Sequence, residues 1–282
     1  MRVPARSSPL QRNVEQALRR RGAAVIAGFG LTFALAACRH QHRRQGNRSE
    51  LRPAAPMDLR LAGRIYGSVD FDGAPPALPA LKMSADPFCA SHHQGAVANP
   101  ELEINANHTV RDAFVYVAHG LGGYRFRPPA WAVELKQTGC MFQPHVLGAM
   151  AGQKIQISSD DATPHNVHFL GPPGADWNLA LPPSAPPQRR RFPRSSASGK
   201  PIEVVCNVHP WMRAWIGIRP NPYFSVTGGN GRYRFPPLPP GIYTVAVWQE
   251  LYGLRQRQVK LSPHSHLRLD FHLGGRPGGG NG

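Results

Sequence analysis

The sequence predicts an all-β protein, and three observations carry that expectation. Glycine and proline, 29 and 30 of 282 residues, together exceed a fifth of the chain. After residue 40 no long stretch repeats its apolar residues at the helical period. Many short apolar runs stand instead between Gly, Pro and Asn clusters, which is how strands and their turns read. A chain of this length has room for one or two domains with real cores.

The formal net charge is +17, almost all of it from arginine. The basic residues concentrate in the N-terminal region and in "QRRRFPR" (Gln188–Arg194). A nucleic-acid binder would add a basic helix, a stacking set of aromatics or zinc-finger spacing, and none is present. The charge therefore reads as a solvated basic surface, able to attract an acidic partner protein or anionic headgroups.

Residues 1–37 read as an export signal. A basic stretch precedes an apolar run from Ala23 to Ala37 that is too short for a comfortable membrane span. It ends in Leu35-Ala36-Ala37-Cys38, which resembles the lipobox of bacterial lipoproteins. The resemblance implies that Cys38 is acylated and becomes the mature N-terminus, anchored on the periplasmic side. Arg39 in place of Asp after the Cys resembles Gram-negative lipoproteins sent to the outer membrane. The alternative is an ordinary secretory signal with a chance Cys. Either way the chain is exported to an oxidising compartment. Residues 38–60 are polar and aperiodic, as a flexible tether would be.

Four cysteines are present. With Cys38 given to lipid and Cys206 to the loop described next, Cys89 and Cys140 remain. Two leftover thiols in an exported protein favour a disulfide. Their neighbours offer a rival reading: "CASHH" adds His92 and His93, "CMFQPH" adds His145, and the five could form a second soft-metal site.

"CNVHPWM" (Cys206–Met212) places a thiol, an imidazole and a thioether at spacings of three and three, between the strand-like "PIEVV" and "RAWIGI". One further imidazole completes the blue-copper set of two His and one Cys in a plane with a weak axial Met. "ISSDDATPHNVHFLG" supplies it, with His165 and His168 three apart. On an extended strand those two point to opposite faces, so one of them reaches the metal, and His165 is the candidate. Zinc would more usually take Cys or His in place of Met212.

The run from Gly152-Gln153 and "KIQIS" through "DATPHNVH" to "VVCNVHPWM" resembles the cupredoxins, and the short ligand loop resembles that of amicyanin. "MFQPHVLGAMAGQKIQI" (Met141–Ile157) is similar to the opening strands of that family. The resemblance implies a Greek-key β-sandwich over residues 126–221 with one type 1 copper cycling between Cu(I) and Cu(II). Its ligands would be His165, Cys206, His209 and Met212. Asn166 would tie the two ligand loops together. His209, Pro210 and Trp211 would form the electron-transfer surface, with the edge of His209 reaching solvent and Trp215 a further candidate for the patch. A closed four-ligand copper leaves no position for a substrate, and no nucleophile motif appears, so no enzyme activity and no small-molecule substrate are expected.

"YFSVTGGNGRYRFPPLPPGIYTVAVWQELYG" (Tyr223–Gly253) resembles the second half of a carboxypeptidase-regulatory-like, Ig-type sandwich. "GRIYGSVDFDGAPPALP" and "VRDAFVYVAHG" resemble its first half. This favours a sandwich of residues 61–125 and 222–273 interrupted by the copper domain, the alternative being simple sequential order. Residues 274–282 read as a disordered tail. The whole also resembles exported bacterial proteins of the methylamine-utilisation type. Two functions follow: a lipid-anchored carrier passing single electrons between a redox donor and acceptor, or a copper-handling lipoprotein that stores or delivers the metal. An axial Met favours the carrier.

Overall fold

The structure is a computed structural model that describes residues 57–171, 176–192 and 199–275. The export signal, Cys38 and most of the tether lie outside them. The chain opens with β1 (Arg64–Asp72), a single turn of helix α1 (Pro87–His92) and β2 (Phe114–His119). Nine strands follow: β3 (Val133–Thr138), β4 (Met141–Gln143), β5 (Val146–Met150), β6 (Lys154–Ser159), β7 (His165–Phe169), β8 (Trp177–Leu181), β9 (Gln188–Arg191), β10 (Ile202–Val205) and β11 (Arg213–Arg219). The last six are β12 (Phe224–Val226), β13 (Arg232–Arg234), β14 (Gly241–Gln249), β15 (Gly253–Leu261), β16 (His266–Arg268) and β17 (Phe271–Gly274). The all-β expectation is met, with α1 the exception.

Strand pairing sorts these elements into two sandwiches. β1 pairs with β13, β16 and β17, while β2 pairs with β12 and β14, and β14 with β15. Strands β3 to β11 pair among themselves, as β5-β11-β10-β7-β8 and β4-β3-β6-β9. The chain thus leaves the first sandwich after β2, builds the second, and re-enters the first at β12. Two ends differ from expectation. Met57, read as tether, packs against the first core and meets the Tyr223 hydroxyl through its sulfur at 3.0 Å. Gly274, read as tail, still pairs with Asp72.

Period-two alternation explains how the sandwiches meet. Val115, Val117, Val245 and Val247 fill the first core. The alternate residues Phe114, Tyr116, Ala246 and Trp248 point the other way and bury against Val146. β2 and β14 are therefore covered on both faces, and read as continuous apolar runs. β11 alternates likewise. Ala214 and Ile216 enter the second core, while Trp215 faces Trp248 with ring centroids 4.9 Å apart. Trp215 thus belongs to this junction and not to a surface patch.

The junction depends on a pair of glycines. Gly217 and Gly148 stand opposite each other on β11 and β5. A Cβ on Gly217 would lie 2.3 Å from the Phe114 ring, and one on Gly148 2.8 Å from Phe224. The missing side chains form the notch that seats both rings. Gly217→Ala is expected to cost about 1–3 kcal/mol by overpacking. Denaturant melts check this, and Phe114→Leu in the same chain should recover part of the loss.

Candidate metal centre

His165 opens β7, and β7 runs antiparallel to β10 with Val205 opposite His168. Continued past the strand end, that register sets Asn207 against Asn166 and brings Cys206 to the His165 end of β7. The ligand loop then folds back on itself. The Met212 amide donates to the His209 carbonyl at 2.9 Å and the Cys206 amide to the Met212 carbonyl at 3.1 Å. The structure so brings together His165, Cys206 and His209, with Met212 fully buried at the loop's end. His168 lies off this site, half-buried, with its Nδ1 on the Asn207 side chain.

The three donor atoms define a pocket for a metal. His165 Nδ1 and His209 Nδ1 are 2.9 Å apart, and Cys206 Sγ is 4.0 Å from each. The point equidistant from the corners of such a triangle lies about 2.1 Å from each, within the usual range for bonds from a metal to imidazole nitrogen or thiolate sulfur. The donor set is soft, and the loop that supplies two of its members ends in the buried Met212 thioether, a combination that suits copper of the electron-transfer kind.

What holds the rings is the finding that sequence reasoning missed. Asp161 lies within the quoted "DATPHNVH", four residues before His165. Its Oδ2 accepts from His165 Nε2 at 2.8 Å, and its two oxygens also accept the amides of Gly139 and Cys140 at 2.7 and 2.9 Å. Those two residues form the two-residue turn between β3 and β4, both with positive φ, so both amides face one way. Asp86 lies 123 residues from His209 and gave no local signal. Its Oδ2 accepts from His209 Nε2 at 3.0 Å and from the Thr163 hydroxyl at 3.0 Å, while its Oδ1 caps α1 through the Cys89 amide. With each Nε2 committed as a donor, each Nδ1 lone pair turns inward.

Asn166 joins the two ligand segments. Its side-chain oxygen accepts the Asn207 amide at 2.6 Å and lies 3.3 Å from Cys206 Sγ, and its Nδ2 donates to Asn178 and Asn207 at 2.7 Å each. Cys89 and Cys140 are disulfide-bonded. The extra ligands grouped with them disperse. His92 is exposed, His93 Nε2 donates to the Gly139 carbonyl, and His145 is buried beside Glu250 at the junction of the sandwiches. The favoured pairing is thus the one present, and the rival metal set of Cys89, Cys140, His92, His93 and His145 does not assemble.

The expected electron-transfer edge also needs correction. His209 is only 2% exposed, because Asp86 and α1 cover the Nε2 side of its ring. Pro210 is exposed, and half-buried Trp211 lies on His209 with ring centroids 5.0 Å apart, its indole N–H donating to the Cys140 carbonyl.

Burial pushes the His165 imidazole down, but hydrogen bonds to Asp161 and Cys206 outweigh it and raise the ring to about 9. Burial pushes the Cys206 thiol up, but His165 and the backbone amides of Asn166, His209 and Val208 outweigh that and bring it down to about 7. Asp86 is held at about 2, first by His209 and then by the Cys89 amide.

No protein-family model matches the chain. Over 88 residues, 31% of this chain, the sequence is 28% identical to amicyanin-alpha of Methylorubrum extorquens, covering 72% of that protein. Among solved structures, a purple cupredoxin of Nitrosopumilus maritimus matches 30% of this chain over 98% of its own, at 18% identity and a TM-score of 0.26. A copper-containing nitrite reductase of Thermus scotoductus matches 33% of this chain at 18% identity and a TM-score of 0.28, and the chain spans 25% of its length. These structural likenesses are too partial to carry weight. The amicyanin-alpha similarity supports a cupredoxin domain here.

A metal must displace the protons that its ligands carry. Below about pH 7 both Cys206 and His165 are protonated, between about 7 and 9 only His165, and above about 9 neither. Affinity is therefore expected to rise with pH, with more protons released per metal below about pH 7 than between about 7 and 9, and fewest above about 9. Competition titrations with a Cu(I) chelator from pH 5 to 10 measure those slopes.

Proposed function

We propose that this protein is an exported, lipid-anchored blue copper protein that carries single electrons between a redox donor and an acceptor. The observation that carries the reading is the triangle of His165, His209 and Cys206 donor atoms, with Met212 buried at the end of the same loop. The similarity to amicyanin-alpha supports the same reading. Copper bound there would supply a one-electron couple.

The chain's own residues do the rest. Asp161, Asp86 and Asn166 fix the rings and the thiolate before the metal arrives. A site that need not rearrange when the oxidation state changes transfers electrons with little reorganisation. The surrounding apolar core of Phe142, Phe169, Ile216 and Leu135 keeps water away. Since the outer edge of His209 is covered, the shortest aromatic route outward passes through Trp211.

In this reading residues 61–125 and 222–273 are one Ig-like sandwich interrupted by the copper domain. Cys38 holds the protein on the periplasmic side of the outer membrane, and the net charge of +17 favours an acidic redox partner.

The full chain loaded with Cu(II) should show an intense visible thiolate charge-transfer band and the narrow hyperfine splitting of type 1 copper by EPR. Cys206→Ser should abolish both. A colourless protein with an ordinary tetragonal signal would sink the carrier reading. Anchoring is tested separately. Cys38→Ser should move the protein from the membrane fraction to the soluble fraction, and unchanged fractionation would count against a lipid anchor.

A further inference from the structure

The disulfide is not remote from the metal centre. Cys89 and Cys140 are fully buried, and Cys89 Sγ lies 3.8 Å from His209 Nε2. Each half-cystine also donates its backbone amide to a carboxylate that holds a ligand ring. The Cys89 amide donates to Asp86, which accepts from His209. The Cys140 amide donates to Asp161, which accepts from His165. His209, Asp86, Cys89, Cys140, Asp161 and His165 thus form one closed bracket, and the sulfur–sulfur bond is its covalent side. The Trp211 indole closes on the Cys140 carbonyl and ties the ligand loop to the same turn.

The two halves of the bracket differ in how well they are held. Asp161 sits between β6 and β7 and takes both amides of a tight hairpin turn. Asp86 sits in the long connection from β1 to β2, whose sheet-like ties near α1 amount to a single bridge, Leu81 with Val97. One turn of helix has little stability of its own. Its non-covalent ties to the copper sandwich include Asp86 with Thr163 and with His209, and His93 with Gly139. Met83 is buried in the second core, and Leu81, Phe88 and Val97 pack against it. The bond to Cys140 adds a covalent tie three residues from Asp86.

We propose that the Cys89–Cys140 disulfide and Asp86 are positioning residues for the copper ligand His209: the bond locks the α1 segment over the ring, and Asp86 holds its outer nitrogen. This rests on the copper reading given above. In the locked chain the His209 Nε2 proton is shielded from water and the ring cannot turn away from the metal. Without the bond, the ring edge opens to solvent and the ligand becomes labile.

Three full-length chains loaded with Cu(I) provide the test: wild type, Cys89→Ser/Cys140→Ser, and Asp86→Asn. In Asp86→Asn the disulfide remains, but one amide oxygen cannot replace two carboxylate oxygens, so the chain stays braced if the double variant fails to fold. Circular dichroism reports folding. In wild type the His209 Nε2–H signal should be visible by 15N NMR and slow to exchange with water. In both variants it should exchange fast, copper should pass to a chelator about 10–100-fold faster, and the reduction potential should shift. A folded variant with wild-type exchange, chelator rate and potential overturns the inference, and the copper reading stands. A wild-type chain lacking the thiolate–copper band overturns the copper reading, and this inference with it.

Discussion

An imidazole has one lone pair to give a metal, and the bond made by its other nitrogen decides where that lone pair points. Here both outer nitrogens are committed to carboxylates, Asp161 for His165 and Asp86 for His209. All the other features of the centre follow from that commitment. It aims the two inner nitrogens at each other and at Cys206. It also fixes which partners the fold has to deliver: one aspartate anchored on a hairpin turn within the sandwich, and one brought from far outside it.

The two deliveries use different physics. Asp161 is local, four residues before its histidine, and the β3–β4 turn holds it with two amides that positive φ at Gly139 and Cys140 aims inward. Burial works against its ionised form, and the three hydrogen bonds it accepts overcome that and keep the carboxyl low. Asp86 arrives on the connection between two strands of the neighbouring sandwich. Long connections without much secondary structure tend to be functional, and this one caps the metal centre. The neighbouring sandwich is therefore part of the site's construction. Its junction with the second sandwich, with Phe114 seated over Gly217 and Trp248 against Trp215, fixes where that connection ends.

This division marks what the sequence made legible. The donor set could be read because its members lie within 48 residues, on strands whose alternation and turns are local signals. Asn166 was found through its neighbour His165. Asp86 could not be read, since an aspartate before a proline in a polar stretch has no feature that points across 123 residues to an imidazole. The same gap misjudged His209: its loop resembles one whose histidine reaches solvent, and only the distant segment buries it. His145 failed for the opposite reason. Its neighbour Cys140 suggested a ligand, but the bend between β4 and β5 carries it toward Glu250 and the other sandwich. α1 escaped notice because a single turn shows no period, though its Asp cap and Pro at the first turn are ordinary helix-start signals.

On the copper reading, covering His209 trades access for rigidity. An exposed ring edge gives a partner a short route to the metal, but also lets water reach the outer nitrogen and compete for its hydrogen bond. Here Asp86 satisfies that nitrogen internally, and the segment carrying it is pinned by the disulfide. The route outward must then pass beside the cap. Trp211 is placed for this: it touches the His209 ring on one side, is half-exposed on the other, and is held by the Cys140 carbonyl. The covalent bond that stiffens the ligand thus also fixes the aromatic beside it, so geometry at the metal and the path away from it depend on one bracket.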